Sequence, residues 1–456
     1  MDRRKFIINS TVAGGALLLN NDALIAGISN KKLPKSVIII GAGFSGLAAA
    51  YQLRKKGIAI TLLESRNRIG GRVFSHALND ASNQVIELGA EWVGDSHEVL
   101  KGLCKEFDLN LLDNRFETHL TYKGEYSKPA DWHFSQAFED FWNNKELIWN
   151  SFTPISKKKL DKMDWWRFLS NQQFEQRDLM LRELIDSTDF GESIRHTSAY
   201  SAFAEYAESS EKNEMDFKIE GGNGKLVTKL ADAIGLNNIL LNHQVTNIDQ
   251  TSSKKVVIKC SNGSTFEADK IICTIPTFAI KQIQWNPGLP AQKIDAIHSL
   301  QYARIGKFPI VCTERFWKDE NFDMVTDTPA HYFYHGTKNQ PGSQGVLMCY
   351  AIGEKADTLA SVHKDQREEI ILNALKPAFG NVKPFIKNSL MYYWGTDPFS
   401  YGAYAFYGKD TWFDVMPTLK QAFMNTHFAG EHLADWQGFM EGALQSGLDA
   451  VSEIID

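Results

Sequence analysis

The chain has 456 residues, carries a formal net charge of −6 at pH 7, and is 43% hydrophobic and 23% charged. Because a chain of this length is longer than one ordinary hydrophobic core supports, two domains are expected. The acidic balance, with no basic block after the N-terminus, argues against nucleic-acid binding. The five cysteines stand singly, without metal-ligand or Cys-x-x-Cys spacing. We interpret them as buried thiols and predict no metal site.

The N-terminus has the features of an export signal. Arg3 and Arg4 precede an apolar run over 11–19, which the polar residues 20–22 end. A charged start, a short apolar core and small residues are typical of a secretory signal, and the paired arginines resemble the twin-arginine type. The run is shorter than the ~18 residues of a membrane span, so no stable span is expected after signal removal. Residues 1–33 are therefore predicted to be signal and linker, and the protein to be periplasmic or secreted.

A strand, a glycine-rich turn, a helix and a second strand then follow one another. They occupy residues 36–40, Gly41-Ala42-Gly43-Phe44-Ser45-Gly46, residues 47–54 and residues 59–63. Gly41 permits the tight turn, Gly43 lets the backbone approach a pyrophosphate, and Gly46 lets helix and strand pack closely. The pyrophosphate charge is expected at the helix N-terminus, where unpaired N–H groups point. Glu64, directly after the second strand, has the spacing for hydrogen bonds to an adenosine ribose.

The residues after this unit favour FAD over NAD. They read Ser65-Arg66-Asn67-Arg68-Ile69-Gly70-Gly71-Arg72. Paired glycines let the backbone approach a second phosphate or the isoalloxazine edge, and arginines supply fixed donors. The spacing of Glu64, Arg68, Gly70-Gly71 and Arg72 resembles the flavin-binding motif of the flavin amine oxidase family. That family includes monoamine oxidases, polyamine oxidases and L-amino acid oxidases.

Later segments extend the resemblance over nearly the whole mature chain. They comprise Gly89-Ala90-Glu91-Trp92, where the chain crosses the flavin; Val245, whose backbone touches the adenine in the family; Thr274, after a buried strand; Gly430-Glu431; and Gly438-Phe439-Met440 with Ala443. The resemblance implies that Glu431 contacts the phosphoribityl region of FAD. A helix beginning near Glu441 would direct its N-terminus at the flavin pyrimidine, whose N1/O2 edge becomes negative on reduction.

These segments imply an α/β fold in which a Rossmann-like FAD-binding domain of the GR2 type is interleaved with a substrate domain. The FAD-binding domain is predicted over 34–95, 216–295 and 405–456, and the substrate domain over 96–215 and 296–404. The substrate domain is expected to combine a mixed sheet with helices. Aromatic residues from 130 to 215 recur at helical spacing, which is typical of a packed helical face.

Four residues are predicted to be catalytic: Lys307, Trp394, Tyr404 and Phe439. Lys307 stands in an apolar strand-like run before Phe316-Trp317, where burial requires a partner. In the family, a lysine at this spacing holds a water against flavin N5. Trp394 matches a family tryptophan near the flavin, and Tyr404 and Phe439 match two aromatic walls around the amine, although the family usually has two tyrosines.

Monoamine oxidases place a flavin-tethering cysteine where this chain has Ala403, so the FAD is expected to be noncovalent. The resemblance implies hydride transfer from the carbon next to nitrogen to flavin N5, hydrolysis of the imine, and reoxidation by O2 to give H2O2. A dehydrogenase with another acceptor and a non-catalytic flavoprotein remain alternatives, and a homodimer is open.

The substrate is predicted to be a small primary or secondary amine, with an L-amino acid as the alternative. A buried α-carboxylate needs a cation, preferably a bidentate arginine. Many L-amino acid oxidases supply it directly after the Gly-Ala pair, where this chain has Glu91. Arg195, His196 and Arg304 remain candidate carboxylate partners, and Glu91 is a candidate acceptor for a distal ammonium.

Overall fold

The computed structural model describes residues 33–78, 83–210, 213–252 and 254–455. The predicted export signal, apart from residue 33, lies outside the described residues. Within the described part of the chain, no helix has both the length and the apolar character needed to cross a bilayer. The five cysteines are free and buried, as the sequence predicts.

The strands are, in chain order, β1 (Ser36–Ile40), β2 (Ala59–Leu63), β3 (Ser75–Ala77), β4 (Val85–Glu87), β5 (Leu111–Asp113), β6 (Glu117–Tyr122), β7 (Glu125–Ser127), β8 (Phe217–Ile219), β9 (Ile239–Leu240), β10 (Val245–Asp249), β11 (Val256–Cys260), β12 (Thr265–Ala268), β13 (Lys270–Cys273), β14 (Gln284–Asn286), β15 (Gln301–Tyr302), β16 (Ile305–Cys312), β17 (Phe322–Thr326), β18 (Tyr332–His335), β19 (Gly345–Ile352), β20 (Ile386–Ser389), β21 (Tyr392–Tyr393), β22 (Ala405–Phe406) and β23 (Thr426–Phe428). The α-helices are α1 (Phe44–Lys55), α2 (Glu98–Glu106), α3 (Gln136–Asn143), α4 (Lys145–Ser151), α5 (Pro154–Leu160), α6 (Trp165–Asn171), α7 (Gln176–Phe190), α8 (Ala199–Glu208), α9 (Gly224–Ile234), α10 (Thr277–Ile280), α11 (Ala291–Ser299), α12 (Gly353–Ser361), α13 (Lys364–Phe379), α14 (Val415–Lys420) and α15 (Met440–Ile455).

A five-stranded parallel sheet, in the order β23-β13-β1-β2-β9, forms the centre of the first unit. Successive residues of β1 enter two different hydrophobic cores. Val37 and Ile39 pack with residues of α1, α9 and α15. Ile38 and Ile40 belong to the other core, which also contains aromatic residues of α3, α4, α6 and α8. Burial on both faces explains why this strand is a continuous β-branched run rather than an alternating one.

A mixed sheet of eight strands forms the second unit. Its order is β20-β16-β19-β18-β17-β6-β7, with β21 also paired to β16. The β17–β6 pair is parallel and the other pairs are antiparallel. All its strands come from 96–215 and 296–404, and all strands of the parallel sheet come from the three segments assigned to FAD binding.

The aromatic residues between 130 and 215 form a packed helical face, as predicted. Phe138 of α3 stacks on Phe134 at 4.6 Å and on Trp142 at 5.8 Å between ring centroids. These rings join one hydrophobic core with the aromatic residues of α4, α6 and α8. The helical layer therefore packs through side chains that the sequence pattern identified.

Candidate active site

The glycine turn between β1 and α1 has the shape that a bound pyrophosphate requires. Gly41 has φ +102°, and a Cβ at Gly46 would lie 1.9 Å from the Gly41 carbonyl oxygen. A Cβ at Gly43, by contrast, would meet no described atom within 4 Å. Gly43 is the N-cap of α1 and provides no side-chain cap. The first turn of α1 thus has no side-chain cap, and the space beside Gly43 is open to an anionic phosphate.

Gly43 lies on the wall of a cavity of about 1280 Å³, measured with its mouth. The predicted site residues on its wall are Gly43, Phe44, Ser45, Gly70, Arg72, Gly89, Ala90, Glu91, Trp92, Thr274, Lys307, Trp394, Tyr404, Gly430, Glu431, Gly438, Phe439, Met440 and Ala443. Segments distant in sequence therefore meet around one space.

Seven predicted cofactor residues are not on the wall, namely Gly41, Gly46, Glu64, Ser65, Arg66, Gly71 and Val245. Gly41 and Gly46 shape the turn behind it. Glu64 is 5% exposed, and its carboxylate accepts hydrogen bonds from the Ala42 N–H at 2.7 Å and the Arg66 N–H at 2.9 Å. Burial raises the pKa of Glu64, and the two N–H donors oppose this rise. The carboxylate braces the turn, and its contact with ribose stays a prediction.

Arg66 differs from the expectation that its guanidinium faces the cofactor. Both terminal nitrogens bind the Asp397 carboxylate at 2.7 Å, and one also donates to Ser400 Oγ. The guanidinium carbon lies 5.1 Å from the centre of the Phe399 ring. Arg66 thus connects the FAD-binding segment to the end of the substrate domain, 331 residues away. The bidentate pair holds the guanidinium at Asp397, and Arg66 is not on the cavity wall.

Lys307 is buried with the partner that its apolar surroundings require. Its Nζ donates to Glu91 Oε2 at 2.6 Å and to the carbonyls of Glu87 and Gly89 at 3.0 and 2.9 Å. Glu91 also receives Lys218 Nζ at 2.5 Å and the Tyr334 hydroxyl. Although burial opposes it, the two ammonium groups hold the pKa of Glu91 below its usual value. The chain's own lysines occupy this carboxylate, so it does not serve as the acceptor for a distal substrate ammonium.

The second cation on the wall is also paired. Arg72 donates to Glu431 Oε1 at 2.6 Å, and Glu431 accepts further bonds from the Ala405 and Gly438 N–H groups at 3.1 and 2.8 Å. Gly438 directly precedes Phe439, and its φ is +84°. The Arg72–Glu431 pair therefore fixes the loop that places Phe439 on the wall.

Trp394, Tyr404 and Phe439 are held by specific contacts. The Trp394 indole donates to the Leu88 carbonyl at 2.8 Å. The Tyr404 hydroxyl donates to the carbonyls of Thr188 and Asp189. Phe439 packs edge-on against the buried His97, with ring centroids 5.4 Å apart. Fixed aromatic walls of this kind can align an apolar amine in a dry pocket.

The candidate carboxylate partners do not reach the cavity wall. Arg195 is half exposed and stacks on Trp166, with its guanidinium carbon 3.6 Å from the ring centre. Arg304 is bound by Glu192 at 2.7 Å and Asp357 at 2.6 Å. His196 is exposed. The neighbours of Arg195 and Arg304, and the solvent exposure of His196, therefore keep these three residues away from the cavity.

Sequence reasoning missed several wall residues, which are Val73, Thr188, Asp189, Asn213, Met215, Ile305, Tyr350 and Gln437. Asp189 is the chemically informative one, because it is a third carboxylate on the wall. It stands three positions after Asp186 within helix α7. The available sequence signal for Asp189 was its helical spacing from a second acid, Asp186, in a largely buried helix.

The residues of the cavity suit FAD. The open turn at Gly43 offers backbone donors to phosphate, and the wall adds backbone from Gly70, Gly430 and Gly438. Helix α15 begins at Met440 on the same wall, so its positive end is available to an electron-rich ring. Within the described chain, no group of three metal-ligating side chains occurs.

Comparisons with known proteins point to the same cofactor. A family model described as flavin containing amine oxidoreductase matches residues 44–455. The chain is 24% identical to an L-amino-acid oxidase of Crotalus adamanteus, over 94% of this chain and 88% of that protein. It is 26% identical to an L-amino-acid oxidase of Gloydius halys, over 94% of this chain and 90% of that protein.

Solved structures share the fold. Cyclohexylamine oxidase from Brevibacterium oxydans IH-35A superposes with a TM-score of 0.82 at 21% identity, covering 92% of this chain and 98% of that one. Putrescine oxidase bound to putrescine superposes with a TM-score of 0.81 at 21% identity, covering 92% and 99%. At these identities the likeness establishes the α/β FAD-binding fold that the sequence predicted.

Proposed function

The chain belongs to the flavin-containing amine oxidoreductase family and is an FAD-dependent oxidase; from this premise we propose that it oxidatively deaminates a primary or secondary amine rather than an amino acid. The observation that carries the proposal is the charge of the cavity wall. Its two described cations, Arg72 and Lys307, are each held by a carboxylate at 2.6 Å. A substrate α-carboxylate would have to displace Glu431 or Glu91, or be buried without a partner. Both alternatives are costly.

When bound in this cavity, FAD would supply the hydride acceptor for oxidation of the carbon next to the substrate nitrogen. Tyr404 and Phe439 orient the amine, because each ring is fixed by contacts with its protein neighbours. Trp394, 1% exposed, closes the wall against water. Burial lowers the pKa of Lys307 and the Glu91 carboxylate opposes that shift, while the same carboxylate holds Nζ in a fixed position at the cavity wall.

The test is a comparison of each amine with its parent amino acid. Tyramine with tyrosine, phenethylamine with phenylalanine, and cadaverine with lysine are scored by anaerobic flavin bleaching, which needs no assumption about the acceptor. We expect kcat/KM to favour the amine about 10-fold or more in each pair, because the amino acid carries an uncompensated carboxylate. A consistent preference for the amino acids would contradict the proposal.

L-amino acid oxidation is the second candidate, because L-amino-acid oxidases align with 94% of this chain. It requires the α-carboxylate to reach Arg72 or Lys307. Replacement of Arg195 or Arg304 would then leave turnover nearly unchanged, since both lie off the wall. Replacement of Arg72 would affect both substrate classes through the Phe439 loop, but it would raise KM for amino acids more than for the matched amines.

We further propose that O2 is the electron acceptor and H2O2 the product, and that the twin-arginine-type segment directs export to the periplasm or beyond. The family resemblance and the position of Lys307 in the cavity support the first proposal. The residues Arg3 and Arg4 support the second. Bleaching by substrate without oxygen consumption would instead indicate a dehydrogenase, and no bleaching by any amine or amino acid would indicate a non-catalytic flavoprotein.

A further inference from the structure

Three carboxylates lie on the described cavity wall, and they differ in their partners. Glu91 is bound by two lysines and Glu431 by Arg72. Asp189 has no lysine or arginine within ion-pair distance among the described residues. Its Oδ2 accepts a hydrogen bond from the Tyr206 hydroxyl at 2.7 Å, and the Asn213 amide bonds to it as well. Asp189 is thus held in place by neutral donors.

The nearest arginine on the same helix does not neutralise Asp189. Arg182 is ion-paired with Asp186, and its guanidinium carbon lies 3.7 Å from the centre of the Trp142 ring. Burial, and then the charge of Asp186, raise the pKa of Asp189 to about 7. An approaching cation would stabilise the ionised form of this carboxylate, because it would supply the missing charge partner.

Two tyrosines of the cavity wall connect Lys307 to the segment that carries Asp189. The Tyr350 ring centre is 6.0 Å from Lys307 Nζ, and the Tyr350 hydroxyl bonds to Tyr404. Tyr404 in turn donates to the backbone carbonyls of Thr188 and Asp189. A substrate whose reacting end lies between Tyr404 and Phe439 can therefore extend a second polar end toward Asp189 within the same cavity.

We propose that Asp189 binds a second positive charge of the substrate, so that the preferred substrates are alkane diamines or longer polyamines. This inference rests on the proposed amine oxidation and names its substrate class. An apolar stem lies along the aromatic wall, and the distal ammonium pairs with Asp189. The energetic reason is that each charge is costly to bury alone, and pairing offsets part of both costs.

The first experiment uses the FAD-loaded wild-type protein and a chain-length series. Alkane monoamines are compared with α,ω-diamines of equal carbon number. At the best length we expect kcat/KM for the diamine to exceed that for the monoamine about 30-fold or more. Equal or better use of monoamines at every length would overturn the Asp189 proposal while leaving amine oxidation intact. If no amine bleaches the flavin, it is the proposed function that fails.

The second experiment assigns the preference to the residue. Asp189→Asn keeps the shape of the side chain and removes its charge, whereas Asp295→Asn makes the same change on the exposed face of α11. We expect Asp189→Asn to raise KM for the diamine about 30-fold and to change the monoamine less than 3-fold. Asp295→Asn should change neither. Asp189→Glu should restore part of the diamine preference.

An equal loss of kcat for both substrates in Asp189→Asn would overturn the proposal, because it would place the carboxylate at the reacting nitrogen. Unchanged diamine kinetics in that variant would overturn it too. The wild-type length series remains decisive if the variant does not accumulate.

Discussion

Replacing Glu91 by glutamine tests whether this carboxylate holds the buried lysine of the active site. The Glu91 and Lys307 side chains are 1% and 4% exposed, and their charged atoms are 2.6 Å apart. Removing one partner of such a buried pair destabilises a protein by about 3–5 kcal/mol. Lys307 keeps two carbonyl acceptors at 3.0 and 2.9 Å, and Lys218, the second lysine on Glu91, keeps the Gly336 carbonyl at 3.3 Å. We therefore expect the free energy of unfolding to fall by an amount near the lower end of this range, about 3 kcal/mol.

The measurement is a double-mutant cycle in urea on FAD-loaded protein, with Glu91→Gln, Lys307→Met and the double variant. Because the two side chains contact each other, the double variant should lose less than the sum of the single losses, by about 1–3 kcal/mol. Glu106→Gln is the control, since Glu106 pairs with Lys55 at 3.1 Å on the surface, with side chains 42% and 51% exposed. That control should cost under about 1 kcal/mol. Additive losses across the cycle would refute the reasoning.

Three further expectations concern the cofactor, the acceptor and export. Because Ala403 cannot form a thioether, acid precipitation should release all FAD to the supernatant, and yellow colour retained in the pellet would contradict this. Lys307→Met should leave anaerobic flavin reduction by substrate within a few-fold of wild type and slow reoxidation by O2; stopped-flow rates showing the reverse would assign it another role. Changing Arg3 and Arg4 together to lysine should retain the protein in the cytoplasm on fractionation, whereas unchanged periplasmic activity would oppose the twin-arginine interpretation.

Local chemistry explains which features the sequence predicted. The turn from Gly41 to Gly46 has steric requirements that few sequences satisfy, so its residue types alone identified the strand–turn–helix unit. The packing of the aromatic residues of α3 could also be predicted, because helical periodicity indicates which face of a helix is buried. The Phe138 contacts confirm that interpretation.

Long-range pairing explains what the sequence did not predict. Arg66 follows the second strand directly, yet its partner Asp397 is 331 residues away. Glu91 was a candidate for a substrate ammonium, but Lys307 reaches it across 216 residues. Asp189 belongs to a helix whose position depends on the surrounding aromatic core. No local sequence pattern predicts such long-range contacts, since they arise from the packing of whole segments.

The order of strands in the parallel sheet has a consequence for biosynthesis. Strand β23 is bonded to β13, which is bonded to β1, and α15 packs against α1. The glycine turn made early in translation thus acquires Gly430, Glu431 and Met440 only after all the segments between them have been synthesised. The complete FAD site therefore cannot form before residue 440 has left the ribosome. A nascent chain that ends before Met440 would hold an incomplete FAD site, and deletion of α15 would impair holoenzyme assembly even if the N-terminal unit remained intact.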